Sequence, residues 1–176
     1  LVRVRRSLVL LFVALPLGLA LLWPNRSLSL IHSNLGAVRQ SQEELSLYSW
    51  PEWLVQDAVR RNVDLSGAVH EFERALALNP RNATANRRLG MIELSLDRYE
   101  DALAHIEAAY AVEPSITATR QLFGEALIVN GRLEEGRALW TNVNNEQGQL
   151  GLRIDWYQSI GDTERAAWIR QVASSQ

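Results

Sequence analysis

Residues 66–80, SGAVHEFERALALNP, and residues 88–114, RLGMIELSLDRYEDALAHIEAAYAVEP, contain the pattern that decides the fold. Each stretch places small and large apolar residues at helical spacing and then ends in a proline. The two prolines, Pro80 and Pro114, are separated by an interval of 34 in the numbering. Self-similarity at a fixed period of this length is the signature of a helical repeat array, in which neighbouring repeats bury each other's apolar faces.

Further positions share this period. The same interval separates Ala68 from Ala102, Phe72 from Ile106, Ala75 from Ala109, Leu89-Gly90 from Phe123-Gly124, Ala102 from Gly136, and Ile106 from Trp140. Small residues let two antiparallel helices approach closely, and large residues fill the space between layers. An ordinary helical bundle would not repeat at one fixed period, so the spacing favours a solenoid.

These positions resemble the tetratricopeptide repeat family, whose pattern has a large apolar residue and Gly in helix A. In helix B the family has Ala, an aromatic residue, a second Ala and a closing Pro. The resemblance implies an all-α solenoid of about three to four helix pairs that binds other proteins. In this register the predicted repeats cover residues 51–80, 83–114 and 117–144, and a shorter final pair covers 147–173.

Capping residues agree with these boundaries. Ser49 and Glu52 form a candidate capping box for the first repeat, and Asp97 and Glu100 form one for helix B of the second. Asn82 follows Pro80 and is a candidate cap for the next helix A.

The N-terminal segment predicts a membrane anchor. No charged residue occurs from Ser7 to Asn25, and this run is long enough to cross a bilayer as a helix. Three Arg precede it and Arg26 follows it, which places the N-terminus in the cytoplasm. We therefore predict a transmembrane helix with membrane contact through residues 7–23. The predicted domains are an anchor over 1–27, a juxtamembrane linker over 28–48 with a helix at about 34–47, and a repeat domain over 49–176.

Other interpretations of this segment stay open. It is also compatible with a signal peptide cleaved after Ala20, or with a buried helix of a soluble protein. A third alternative is that it forms the last span of a longer polytopic protein, because the sequence starts with Leu. The anchor interpretation is favoured because the apolar run continues past Ala20 to Trp23.

Composition excludes several classes of function. The chain of 176 residues has no Cys, which excludes disulfides, thiolate nucleophiles and Cys-based metal sites. Residues after 26 carry 14 Arg and 20 acidic residues, so this part would repel a phosphate backbone. We therefore predict no nucleic-acid partner.

Catalytic patterns are also missing from the sequence. The three histidines, His32, His70 and His105, have no HxxxH or HExxH spacing, and no GxSxG, GxGxxG or P-loop pattern occurs. The sequence thus predicts no enzyme activity, no cofactor and no metal site.

The resemblance places a binding site on the concave surface lined by helix A. The inward-facing positions in this register are Trp53, Asp57, Arg60, Arg87, Met91, Leu94, Gln121, Glu125 and Ile128. A mixture of aromatic, thioether and Arg side chains suits a helix or an extended peptide. An alternative is that Met91, Leu94 and Ile128 only pack against neighbouring helices.

The predicted function is that of a scaffold or accessory subunit in a bacterial inner membrane, with extracytoplasmic repeats and partners in a membrane complex. Residues 33–61, SNLGAVRQSQEELSLYSWPEWLVQDAVRR, also resemble the C-terminal part of bacterial O-antigen ligase and polymerase-like proteins. This weaker resemblance implies the alternative of an anchor-and-repeat part in a surface-polysaccharide system.

Overall fold

A computed structural model describes residues 23–48, 55–140 and 149–174 of the chain. Within these ranges the regular secondary structure is entirely helical. Nine helices follow one another there: α1 Pro24–Ser46, α2 Gln56–Asn62, α3 Ser66–Leu78, α4 Ala83–Ser95, α5 Tyr99–Val112, α6 Thr117–Val129, α7 Leu133–Trp140, α8 Gln149–Ser159 and α9 Thr163–Ser174.

Eight of these helices pack as four pairs. Helix α4 packs on α5, α6 on α7 and α8 on α9, and a three-residue turn joins the two helices of each of these pairs. A connection this short makes the paired helices antiparallel neighbours. The first pair consists of α1 and α3, although residues 47–65, which include helix α2, separate them in sequence. The all-helical solenoid predicted from the sequence is thus confirmed for the described residues.

The prediction that the architecture includes a transmembrane helix has to be corrected. No helix in the described ranges is both long and apolar enough to cross a membrane. The long helix α1 runs without interruption across the predicted boundary at residue 27, and it carries Arg26, Arg39, Glu43 and Glu44. The predicted span over residues 7–23 lies, except for its last residue, outside the described residues.

Helix α1 takes the place of helix A in the first repeat. A Cβ added to Gly36 would come within 2.7 Å of the Phe72 ring of α3, so only glycine permits this approach. Gly90 in α4 meets Ile106 of α5 in the same way. The observed first pair therefore differs from the predicted first repeat over 51–80, because residues 47–65 are an insertion between its two helices.

The predicted cap at Asn82 is confirmed. Its side chain accepts a hydrogen bond from the backbone N–H of Ala85 at 3.0 Å. The same side chain donates to the hydroxyl of Ser29 at 2.8 Å, so the cap of α4 also holds α1 in place.

The predicted capping box at Asp97 and Glu100 is not formed. Asp97 has a φ of 62° and stands at the point in its turn where the later turns have Gly131 and Gly161. The Asp97 side chain accepts a hydrogen bond from the hydroxyl of Tyr99 at 2.8 Å instead of capping α5. Asp97 thus ends α4 in a left-handed conformation that Asp tolerates better than most residues do. The other candidate box, at residues 49–52, lies outside the described residues.

Candidate functional site

A groove of about 760 Å³ opens between the first helices of the second, third and fourth pairs. Its apolar lining consists of Val55, Met91, Ala118, Leu122, Trp140, Leu150 and Leu152. Its polar lining consists of Gln56, Asp57, Arg87, Arg88, Gln121, Glu125 and Arg153. Three successive helices of the helix A type, α4, α6 and α8, thus share one surface with the start of α2.

Five of the residues predicted for a binding face lie on this groove: Asp57, Arg87, Met91, Gln121 and Glu125. They come from α2, α4 and α6. The repeat register therefore brings four of the nine predicted side chains to one surface, and Asp57 reaches the same surface from the insertion. Whether they contact a partner stays a prediction.

The other four predicted residues have different positions. Leu94 and Ile128 are buried in the hydrophobic core, as the packing interpretation of these two residues expected. Arg60, also a residue of α2, is buried and does not line the groove. Trp53 lies outside the described residues.

Helix α2 is held against the solenoid by a buried carboxylate. Asp57 accepts a hydrogen bond from the Ser95 hydroxyl of α4 at 2.7 Å and one from the Arg153 guanidinium of α8 at 2.6 Å. Burial alone would raise the pKa of Asp57, but Arg153 and Ser95 outweigh it and hold this pKa below its usual value. Asp57 is therefore a charged group that joins the insertion to the second and fourth pairs.

A second carboxylate on α6 completes this cluster. Glu125 accepts hydrogen bonds from the Nε of Arg153 at 2.8 Å and from the hydroxyl of Tyr157 at 2.9 Å. Burial would lower the pKa of Arg153, but the charges of Glu125 and Asp57 raise it well above its usual value. Burial next to Glu125 likewise raises the pKa of the Tyr157 hydroxyl. One guanidinium thus bridges two carboxylates at one end of the groove.

A further ion pair, which is connected to Asp57 through Arg60 Nη1 at 3.7 Å from Asp57 Oδ1, holds α2 on α1. The Nε of Arg60 donates to Glu44 at 2.9 Å, and the same carboxylate accepts from Gln40 at 2.7 Å and from Gln56 at 3.1 Å. These side chains are almost all buried, which makes them costly to separate. The short helix is therefore fixed on both sides, by Asp57 and by Arg60.

Two other arginines of the groove, Arg87 and Arg88, differ from Arg153 in their hydrogen-bond partners. Arg87 donates to the hydroxyl of Thr119 at 3.4 Å, and Arg88 donates to the side-chain oxygen of Gln40 at 3.2 Å. Within the described ranges, neither of them has a carboxylate within ion-pair distance. Burial lowers the pKa of Arg88. The negative charge of Glu44 opposes this effect, and the positive charges of Arg87 and Arg60 add to it. An anionic group would therefore be stabilised at this position.

Sequence reasoning missed the contribution of α8. Arg153, Leu150 and Leu152 belong to the final pair, whose marker Gly161 follows Gly131 at an interval of 30 instead of 34. Because of this shorter interval, the period of 34 does not predict which residues of α8 line the groove. In the part of the chain that the structure describes, no cluster of three or more His, Asp and Glu could hold a metal ion.

Comparisons with known proteins agree with the repeat pattern. Residues 56–118 match the tetratricopeptide repeat family, and this match confirms the resemblance for that part of the chain. No curated protein sequence matches the chain significantly.

Solved structures of MamA are similar to this chain at low sequence identity. The MamA RS-1 ArsTM double mutant is 23% identical over 69% of this chain and 73% of its own length, with a TM-score of 0.43. MamA AMB-1 is 20% identical over 86% of this chain and 88% of its own length, with a TM-score of 0.46. MamA MSR-1 is 18% identical over 86% and 95%, also with a TM-score of 0.46.

Proposed function

We propose that this chain is a protein-binding scaffold whose groove takes an apolar peptide segment that carries an acidic side chain. The observation that carries this proposal is the pair Arg87 and Arg88, two guanidinium groups that have no carboxylate within ion-pair distance in the described ranges and lie beside an apolar lining. The chain acts, in this proposal, by binding and not by catalysis.

The apolar part of the groove suits side-chain anchors. Met91 and Leu122 are half-buried on neighbouring helices, and Leu152 is exposed on the third. Apolar anchors in a concave site with a few placed polar groups are typical of binding pockets. A short peptide with one or two large apolar side chains would cover this lining.

The groove is also held in shape before a partner arrives. The ion pairs of Arg153 with Asp57 and Glu125 connect three of the helices that line it. A preformed site loses little conformational entropy on binding, which favours affinity. Arg153 itself is already neutralised by two carboxylates, so we expect the acidic group of the peptide at Arg87 and Arg88 instead.

The proposal can be tested by selecting binders from a displayed peptide library on the full chain. We expect the selected peptides to combine Asp or Glu with large apolar residues. A hydrogen bond to a charged group contributes about 1.5–3 kcal/mol, so Arg87→Gln should weaken these peptides about tenfold or more in fluorescence titrations.

The matched control is Arg74→Gln, because Arg74 is exposed on α3 and does not line the groove. This variant should bind the selected peptides as the wild type does. Selection of no peptides, or of peptides that bind wild type and Arg87→Gln equally, would overturn the proposal.

The cellular setting stays a prediction from the sequence. A bacterial inner-membrane location, extracytoplasmic repeats and partners in a membrane complex all depend on the predicted anchor, of which residues 1–22 lie outside the described residues. A role beside a surface-polysaccharide ligase or polymerase stays the alternative prediction. Fractionation of cells that express the chain, with protease added to intact spheroplasts, would test the location.

A further inference from the structure

One face of α1 exposes a row of large apolar side chains. Leu28, Ile31, Leu35, Val38 and Leu45 are between 39% and 65% exposed. The opposite face of the same helix packs on α3 through small and polar residues such as Ser29, Ser33 and Gly36. The more apolar face of this helix is therefore the one that α3 does not cover. We call this row, together with Gln42, the α1 seam.

The spacing of the seam is that of a helix–helix contact. Its members follow one another at intervals of three, four, three, four and three when Gln42 is included. Such an average period of about 3.5 keeps one face of a helix turned towards a second helix along its length. The positions between the seam residues on one flank, Asn34 and Ser41, are uncharged.

The repeat register also shows that the equivalent face of the later helices packs on another helix. Ile31, Leu35 and Val38 correspond to Ala85, Leu89 and Ile92 of α4 at a constant offset of 54, which is one period plus the insertion. In α4 these positions are buried in one cluster with side chains of the preceding helix α3. The next period of the same positions, in α6, includes Phe123, whose ring centroid lies 4.9 Å from that of Tyr110 on the preceding α5.

We propose that the α1 seam binds the α1 seam of a second copy of this chain, as a parallel two-fold dimer. In a parallel pair each seam residue meets its own copy, so Gln42 faces Gln42 and the two amides can hydrogen-bond. An antiparallel pair would place Gln42 against Ile31 and bury an unsatisfied amide, which costs about 1–3 kcal/mol. A single polar residue in a seam is a known determinant of register.

The area that two seams would bury and the charges beside the seam fit a second copy of this chain. The seam extends from Leu28 to Leu45, or about 26 Å of helix, and two such seams bury on the order of 1,000 Å² in total. This buried area is at the lower end of the range for specific protein–protein interfaces. The dimer should therefore dissociate into monomers when the protein is diluted. A membrane surface fits less well, because Arg39 and His32, the basic residues that flank the centre of the seam, are already paired with Glu71.

The natural chain has no cysteine, so single cysteines report the contact cleanly. In the full chain in mild detergent, Val38→Cys should form a disulfide dimer under a weak oxidant. Leu96→Cys is the control, because Leu96 is a similarly exposed apolar residue in the turn after α4. If Val38→Cys gives no more dimer than Leu96→Cys, the proposal is overturned.

A charge exchange separates dimerisation from misfolding. Val38→Glu and Val38→Lys should each sediment as monomers, because like charges meet across the seam, while an equal mixture of the two should sediment as dimers. Both variants should keep the helical content of the wild type, because Val38 is exposed in the single chain. A wild type that stays monomeric at all concentrations, or a mixture that stays monomeric, contradicts the proposal.

Discussion

Arg153 Nη1 lies 2.6 Å from Asp57 Oδ2, although the two residues are 96 positions apart in the chain. Asp57 belongs to the insertion of the first pair, and Arg153 belongs to the first helix of the fourth. Neighbouring repeats in a solenoid ordinarily contact only each other. This ion pair therefore adds a long-range connection that the repeat architecture does not supply by itself.

Asp57→Asn should destabilise the fold. The substitution keeps the size of the side chain but leaves Arg153 with Glu125 as its one carboxylate partner among the described residues. Loss of one partner from a buried ion pair is costly, and with Glu125 still present we expect about 2 kcal/mol. Urea unfolding followed by circular dichroism measures the change. Glu73→Gln on the exposed face of α3 is the control and should leave the midpoint unchanged.

The ion pair of Asp57 and Arg153 also predicts how the stability of the fold depends on pH in acid. Because the folded-state pKa of Asp57 lies below its ordinary value of 3.8, its stabilising contribution is complete above pH 3.8. The contribution is lost as the pH falls through the lower, folded-state pKa. The stability difference between wild type and Asp57→Asn should therefore be constant between about pH 7 and 5 and shrink at pH values below the ordinary pKa. A difference that stays the same in strong acid would contradict this assignment.

His105 on α5 predicts the opposite pH dependence, in which stability is lost as the pH rises. His105 Nδ1 lies 2.7 Å from Glu93 Oε2, and this hydrogen bond raises the pKa of His105 above 6.5 against the effect of burial. Its contribution is complete below the ordinary pKa and is lost as the pH rises through the raised pKa. His105→Gln should therefore lose more stability at about pH 6 than at about pH 9.

The control for this measurement is His70→Gln. His70 is exposed on α3 and lies outside any ion pair that the described residues form. Because His70 makes no such contact, its substitution should lose less stability at about pH 6 than His105→Gln does. Equal pH dependence in the two variants would show that the contact between His105 and Glu93 does not stabilise the charged imidazole.

The sequence was sufficient where small and large residues recur at the fixed period. Gly90 against Ile106 and Gly124 against Trp140 are close helix contacts that a spacing of 34 predicts directly. The groove residues Arg87, Met91 and Gln121 follow from the same register, because helix A positions repeat with it.

The period could not predict what interrupts it. Leu35 and Gly36 are the helix A markers of the first repeat, but the insertion increases their offset from Leu89 and Gly90 to 54. The position of residues 34–47 directly after the predicted anchor then favours a juxtamembrane interpretation over a repeat helix. The buried pair of Asp57 and Arg153 depends on tertiary contact alone, and no local pattern signals it.

Gly36→Ala distinguishes these two arrangements of α1. In the observed fold the added Cβ would lie within 2.8 Å of two ring carbons of Phe72, so the helices must separate. Overpacking of this kind costs about 1–3 kcal/mol. Gly151→Ala in α8 is the matched control, because its Cβ would meet no atom within 4 Å and should gain about 0.5–1 kcal/mol from helix propensity. If Gly36→Ala stabilises the chain in urea unfolding as Gly151→Ala does, α1 does not pack on α3. If it destabilises the chain, Phe72→Leu should recover part of the loss, because the shorter side chain leaves room for the methyl group.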